Sequence, residues 1–236
     1  MTDVLIEAIG VGAELGGHRV VDGVSLRASA GQVTGIIGPN GAGKTTFLRA
    51  LAGLLPAATG ELRVAGLDPR AAAPGAMAAQ RAYSPQKPAS AWDFRLAELG
   101  LLSGDPAAYA GWLDAFGLAA APELPLSALS GGEQKCAHLA LAFVALGDPF
   151  GRVLLLDEPG AALDLNRQAT LRRIVAGFAR AGAAVVVATH DLGFARGCDQ
   201  VLVLAEGRLI ATGDPAATLT PAVVGATWGE TSSPPA

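Results

Sequence analysis

Continuous apolar runs alternate with helix-like segments along most of this chain. Four runs have almost no polar residue in their centres, which predicts strands that are covered on both faces. They span residues 33–38, 152–157, 183–189 and 200–207. Two earlier runs predict the first strands of a mixed sheet, and a third predicts one further short strand. These earlier runs span residues 4–11, 19–28 and 60–66.

Helical patterns lie between these strands. They span residues 45–55, 133–146 and 165–181. Strands that alternate with helices indicate an α/β fold with a parallel central sheet. The span 87–129 differs, since it is rich in proline and alanine and holds helix-like pieces at 95–102 and 107–116 without a convincing strand.

The chain is therefore expected to form one domain, residues 1–229, with a small helical subdomain inserted between two strands of the sheet. The core of this domain comprises residues 1–86 and 130–229, and the inserted subdomain comprises residues 87–129. The polar, proline-rich segment 230–236 is expected to be a disordered tail.

Composition narrows the class of protein. Half of the 236 residues are apolar and the formal net charge is −4, which argues against a general nucleic-acid binder with a basic surface. Cys136 and Cys198 lack metal or redox spacing, so buried thiols in a reducing compartment are expected. No signal-type segment and no apolar run of about 18 residues is present, which predicts a soluble cytoplasmic chain whose membrane role would need a partner.

The glycine-rich segment GPNGAGKTT follows an apolar run and precedes a helical pattern, and it fits G-x-x-x-x-G-K-[ST] in that context. Its backbone N–H groups would surround phosphate oxygens, Lys44 would contact the β- and γ-phosphates, and the Thr45 hydroxyl would ligate Mg²⁺. A glycine-rich turn without a ligand is the alternative, but the chain has only three lysines, so a chance match would be rare. The predicted phosphate-binding residues are Gly38, Pro39, Asn40, Gly41, Ala42, Gly43, Lys44, Thr45 and Thr46.

Two acidic residues follow the apolar run 153–156. A buried strand would deliver Asp157 and Glu158 at its carboxyl end, where open α/β sheets bind ligands. Asp157 could hold Mg²⁺, and Glu158 could accept a proton from a water that attacks a γ-phosphate. An ordinary acidic strand end is the alternative, which the upstream phosphate loop disfavours.

The segment LSGGEQ opens another helical pattern. Ser130 is a good N-cap, and the glycines after it would expose N–H groups to an anion. A simple helix cap after a loop is the alternative from these residues alone.

These segments, with YSPQ, ALD and VVATHD in the same order, resemble the nucleotide-binding subunits of ATP-binding-cassette (ABC) transporters. Gln86 resembles the Q-loop glutamine, Asp164 the D-loop aspartate and His190 the switch histidine of that family, while LSGGEQ resembles its signature motif. The resemblance spans residues 4–229. It implies a P-loop NTPase fold with a RecA-like mixed sheet core and an inserted helical subdomain.

The resemblance implies that two chains, identical or paralogous, pack head to tail around two ATP molecules. Each ATP would contact the phosphate loop of one chain and the signature motif of the other, and Asp164 would couple the two sites. ATP would close this dimer and hydrolysis would open it. The signature residues that would contact ATP are Ser130, Gly131, Gly132 and Glu133.

The resemblance also implies the catalytic roles. Glu158 would polarise the attacking water, His190 would contact the γ-phosphate, and Gln86 would reach Mg²⁺ or water and report to the transporter. Mg²⁺ would be held by Thr45, Gln86 and Asp157. Most of the rate enhancement would come from electrostatic positioning.

The sequence departs from the family pattern in three places. The aromatic residue that usually stacks on adenine is missing, and Leu15 stands in its position. Two frequent arginines are replaced by Cys136 and Leu141, and Gly160 follows the DEP segment where Thr or Ser is frequent. No catalytic group is lost by these changes.

The segment VALGDPFGR, the ending GDPAATLTPAVVGATWG and the stretch after Gln86 resemble ATPases that serve importers of iron–siderophore, haem and cobalamin, with cobalamin as the first expectation. The resemblance implies permease subunits and, indirectly, a substrate-binding protein as partners. It places the chain at the cytoplasmic face of the membrane. Trp92 and Phe94 are expected either to contact the permease or to fill the core of the helical subdomain.

Three other functions stay open at this stage. The chain could serve an ABC exporter, act as an ABC ATPase in DNA repair or on ribosomes, or bind nucleotide as a regulatory module without hydrolysing it. The absence of long coiled coils and of a second cassette disfavours the soluble ATPase. Glu158 and His190 disfavour the regulatory module.

Overall fold

Two β-sheets organise the protein, whose computed structural model describes residues 3–87, 92–118 and 122–229. Along the chain, the strands are β1 (Val4–Leu15), β2 (His18–Ser29), β3 (Val33–Ile37), β4 (Thr59–Val64), β5 (Arg81–Ser84), β6 (Val153–Asp157), β7 (Ala184–Thr189), β8 (Gln200–Ala205) and β9 (Arg208–Gly213). Six of them form a central sheet in the order β5-β6-β7-β3-β8-β9. Its neighbouring strands are parallel except for the antiparallel pair β8 and β9, so the sheet is mixed, as expected.

The first two strands do not join this sheet, so their predicted place in it was wrong. Strands β1 and β2 form a separate antiparallel sheet with β4, in the order β2-β1-β4. Gly16 and Gly17, both with positive φ, make a two-residue turn that pairs Leu15 with His18. Buried and exposed residues alternate along much of both strands, which suits a sheet with one face in the core and one in solvent.

The helices fill the space around the two sheets. They are α1 (Lys44–Leu51), α2 (Pro74–Gln80), α3 (Leu96–Leu102), α4 (Pro106–Ala115), a 3₁₀-helix (Leu126–Ala128), α5 (Gly131–Leu146), α6 (Leu165–Arg180), α7 (Leu192–Ala195), α8 (Pro215–Thr218) and α9 (Pro221–Trp228). Helix α1 ends before the predicted residue 55, because Gly53 adopts a positive φ of 72° that ends the helix. The sequence did not predict α2, β5, β9 or the short helices α7, α8 and α9.

Each face of the central sheet carries its own apolar core. One core lies between the two sheets and holds Ile36 of β3 together with Phe47 of α1. The other core holds Val33 and Ile37 on the opposite face of the same strand, together with Phe143 of α5. This division follows from the alternation of side chains along a strand. Both cysteines are buried, as expected.

The segment between β5 and α5 contributes α3, α4 and the 3₁₀-helix, which pack on α5 through the second core. Phe94 is partly buried against this core, as one of its two predicted roles requires. Trp92 is 74% exposed, so its predicted role in the core was wrong. Residues 88–91 and 119–121 of the predicted subdomain, and the predicted disordered tail 230–236, lie outside the described residues.

Within the ranges that the structure describes, no helix has the length and apolar character that a membrane span requires.

Candidate nucleotide site

The carboxyl ends of four parallel strands bring most of the predicted site residues to one edge of the central sheet. Asp157, the last residue of β6, pairs with Ala188 of β7, and Ile37, the last residue of β3, pairs with Thr189. The phosphate loop follows β3, Glu158 follows β6, and His190 follows β7. Gln86 lies two residues after the end of β5. The parallel register therefore places motifs from distant parts of the sequence side by side.

The segment from Gly38 to Gly43 connects β3 to α1 in a conformation that depends on glycine. Gly43 has a φ of 95°, and a Cβ on it would lie 2.6 Å from the carbonyl oxygen of Val20. A Cβ on Gly38 would collide with the carbonyl oxygen of Leu204. Helix α1 has no side-chain cap and no acidic residue in its first turn, so its N-terminal N–H groups and dipole favour an anion at the loop.

Lys44 is a buried cation at the start of α1. Its Nζ donates to the carbonyl oxygens of Gly38 at 2.8 Å and Pro39 at 3.0 Å, and lies 3.7 Å from Glu158 Oε1. Burial lowers the pKa of Lys44, while the negative charges of Glu158 and Asp157 oppose this shift. The ammonium group is thus held at the loop and surrounded by oxygen acceptors.

Thr45 and Asp157 form a pair of oxygen donors beside this lysine. Thr45 Oγ1 donates to Asp157 Oδ1 at 3.0 Å, while Asp157 Oδ2 is buried without a hydrogen-bond partner among the described residues. Burial is the main cause that raises the pKa of Asp157. A hydroxyl, a carboxylate and a buried oxygen that lacks a partner fit the ligand chemistry of Mg²⁺.

Glu158 lies between Lys44 and His190. Its Oε2 is 3.0 Å from His190 Nδ1, and its side chain is 6% exposed. Glu158 has a φ of 46°, a left-handed conformation that non-glycine residues rarely adopt, and its N–H donates to Ala188 O at 2.8 Å. A carboxylate in such a strained position is typical of functional sites.

A cavity of about 300 Å³ lies over the phosphate loop. It is lined by Val20, by residues 40–46, by Gln86 and by Glu158. Val20 was not identified from the sequence. A second cavity, of about 390 Å³, adjoins the first at Glu158 and is lined by His190 and residues 159–162. Glu158 therefore faces both cavities.

The signature residues are not among those that line the phosphate-loop cavity. Ser130 caps α5 as predicted, since its hydroxyl accepts a hydrogen bond from the N–H of Glu133 while Glu133 Oε2 accepts one from the N–H of Ser130. Ser130 and Gly131 are exposed, whereas Gly132 is buried.

Asp164 caps the next long helix, α6, by accepting a hydrogen bond from the N–H of Arg167 at 2.8 Å. The Arg167 side chain lies 3.3 Å from Glu133 Oε1 and 3.3 Å from Asp164 Oδ2. Arg167 therefore connects the signature segment to the D-loop within one chain. Sequence reasoning missed this contact, because no local pattern distinguishes Arg167 from other surface arginines.

Gly132 packs closely on the loop that precedes Asp164. A Cβ at Gly132 would lie 2.5 Å from the carbonyl oxygen of Ala162, so Gly132→Ala must displace residues 161–163. We expect this variant to lower the free energy of unfolding by about 1–3 kcal/mol. Denaturant titration would measure the loss. Gly131→Ala is the matched control, because a Cβ at Gly131 meets nothing within 4 Å, and equal stability of the two variants would contradict the prediction.

Known proteins resemble most of this chain. A family model described as ABC transporter matches residues 21–161. The hemin import ATP-binding protein HmuV of Streptomyces coelicolor is 41% identical over an alignment of 226 residues, and the match covers 90% of this chain and 79% of that protein. The protein of the same name from Nocardia farcinica is 42% identical over an alignment of 215 residues, and the match covers 86% of this chain and 73% of that protein. A solved structure described as the ATP binding subunit of an ABC transporter matches with a TM-score of 0.78 at 25% identity, and the match covers 89% of this chain and 90% of that chain.

Proposed function

Since the chain belongs to the ABC transporter family and is the ATP-binding and ATP-hydrolysing subunit of an importer, we propose that it drives the uptake of haem. Support for haem as the cargo comes from the name of the two relatives reported above. Both are described as hemin import ATP-binding proteins, and both are more than 40% identical to this chain. Cobalamin was the first expectation from sequence, and these names favour haem instead.

In the proposed site, the phosphate loop and Lys44 bind the triphosphate of ATP. Lys44 Nζ lies among carbonyl oxygens of the loop and the Glu158 carboxylate, which supports a contact of its ammonium group with phosphate oxygens there. No side chain caps the start of α1, so its first N–H groups are further donors that would attract phosphate oxygens.

Thr45, Asp157 and Gln86 are proposed to hold Mg²⁺. Asp157 Oδ2 has no hydrogen-bond partner in the part of the chain that the structure describes, and this supports the proposal, because a buried carboxylate oxygen is unfavourable without a donor or a cation. When bound, Mg²⁺ supplies positive charge that stabilises the triphosphate during phosphoryl transfer.

Glu158 is proposed to orient the attacking water and accept its proton, with His190 beside it. The 3.0 Å separation of His190 Nδ1 from Glu158 Oε2 supports a joint role, because this contact would fix the direction of a carboxylate that lines both cavities. The γ-phosphate contact of His190 remains part of this proposal.

Subunits of this family dimerise and work with permease subunits. We propose that Ser130 to Glu133 contact the ATP that is bound to a second copy. Two features support this arrangement: Ser130 and Gly131 are exposed, and these residues stand apart from the cavity over their own phosphate loop. In the closed dimer, Asp164 would couple the two sites. The assembly is proposed to lie on the cytoplasmic face of the membrane beneath two permease subunits.

The cargo can be tested by measuring ATP hydrolysis with the permease subunits in lipid. We expect several-fold stimulation by the cognate binding protein loaded with hemin, and none when the binding proteins carry cobalamin or a ferric siderophore. Stimulation by cobalamin or siderophore alone would overturn haem as the cargo. Hydrolysis that is indifferent to all membrane partners would instead indicate a soluble ABC ATPase.

A further inference from the structure

Lys135 is a buried cation that belongs to none of the motifs discussed above. It lies on α5, shortly after the Ser130 cap, and is 5% exposed. Its Nζ donates to the carbonyl oxygens of Pro85 at 2.9 Å, Gln86 at 3.3 Å and Asp157 at 3.1 Å. The three hydrogens of the ammonium group therefore have three backbone partners.

These partners belong to separate segments of the chain. Pro85 and Gln86 follow β5, and Asp157 ends β6, so one side chain joins both segments to α5. Burying an ammonium group is unfavourable unless it is well paired, and burial lowers the pKa of Lys135 to about 8. A residue of this kind is not needed to fill space, since an apolar side chain of similar length would do so without the desolvation penalty.

The contact with Asp157 acts on the peptide group that leads into Glu158. Lys135 binds the oxygen of that peptide, and Ala188 O accepts its N–H at 2.8 Å. The peptide plane is thus held on both edges. The next backbone rotation is the φ of Glu158, which takes the strained value of 46°. Strained conformations persist only where the surrounding structure enforces them.

We infer that Lys135 is a positioning residue for ATP hydrolysis, which fixes the backbone at Gln86 and at the Asp157–Glu158 peptide and so directs three side chains of the reaction. The inference rests on the proposed roles of Gln86, Asp157 and Glu158. It does not involve the phosphate loop, with which Lys135 shares no hydrogen bond among the residues that the structure describes.

Lys135→Met tests the inference, because it keeps an unbranched side chain of similar length and removes the donors. We expect kcat to fall about 10- to 100-fold, since small misplacements of catalytic groups have effects of this size. We expect the Kd for ATP to stay within about threefold, because the loop contacts are untouched. Lys87→Met is the matched control, since Lys87 is exposed and is not among the residues that line the phosphate-loop cavity.

A purely structural role for Lys135 would lower stability without separating kcat from Kd. In the background of Gln86→Ala, Lys135→Met should lower kcat by a smaller factor, because one of the three side chains that Lys135 positions is then absent. Full additivity of the two changes, or wild-type kcat in Lys135→Met, would overturn the inference.

If Lys135→Met does not fold, Lys135→Arg tests the positioning role instead. A planar guanidinium keeps the charge but cannot reproduce the geometry of a compact ammonium group with three carbonyl partners. We expect a several-fold lower kcat at unchanged Kd, and an unchanged kcat would refute the positioning role. Glu158→Gln is assayed beside these variants: if it retains turnover, the proposed site itself has failed, whereas an inactive Glu158→Gln with fully active Lys135 variants rejects only this inference.

Discussion

Glu158→Gln is expected to lower kcat for ATP hydrolysis by about 10²–10⁴-fold, the range that general base catalysis contributes. The amide keeps the size of the side chain but cannot accept a proton from water. The change also removes a negative charge that lies 3.7 Å from Lys44 Nζ, at the cavity where the phosphates are proposed to bind. ATP should therefore bind at least as tightly as before, and the ATP-bound dimer should accumulate.

Single-turnover hydrolysis and size-exclusion chromatography with ATP would measure these two effects. Glu206→Gln is a matched control, because Glu206 is exposed and also has a positive φ, of 48°, in the turn between β8 and β9. It should hydrolyse ATP at the parent rate. Parent-like turnover in Glu158→Gln would show that another group acts as the base.

Lys44→Ala is expected to raise the Kd for ATP by about 100-fold or more. Charge-assisted hydrogen bonds contribute about 1.5–3 kcal/mol each, and the proposed contacts to two phosphates would be lost together. The variant also leaves the carbonyl oxygens of Gly38 and Pro39 and the Glu158 carboxylate without their cation, which adds repulsion toward an anionic ligand.

Titration with a fluorescent ATP analogue would measure this loss of binding, and Lys87→Ala would control for the removal of any lysine. A Kd close to that of the parent would show that Lys44 does not contact the phosphates. The two variants separate binding from chemistry, since Glu158→Gln should keep the nucleotide that Lys44→Ala loses.

Some parts of the site could be predicted from sequence, because their functional side chains and their backbone structure come from one short segment. The phosphate loop carries its glycines, its lysine and its helix start within a few residues, so it could be identified without knowledge of its distant neighbours. Asp157 could be placed at a strand end because the apolar run before it ends there, and Ser130 could be placed at a helix start because it is followed by Glu133.

The parts that could not be predicted depend on partners far away in the chain. Strands β5 and β9 are short and partly polar, and they become strands because each covers one edge of the central sheet. The separate sheet of β1, β2 and β4 arises from antiparallel pairing, which the apolar pattern alone does not encode. The contacts of Lys135 exist only once α5 has packed on the strand ends, and the contact of Arg167 with Glu133 exists only once α6 lies beside the start of α5.

The strand order of the central sheet also bears on the order in which a nascent chain can fold. Strands β1, β2 and β4 pair among themselves and leave the ribosome early, as a local unit of low contact order. Strand β3, which precedes the phosphate loop, pairs with β7 and β8, both of which lie beyond residue 183. A ribosome-bound chain thus carries the whole loop sequence before the neighbouring strands of β3 have been made, so the loop can reach its final conformation only after β7 and β8 have been synthesised.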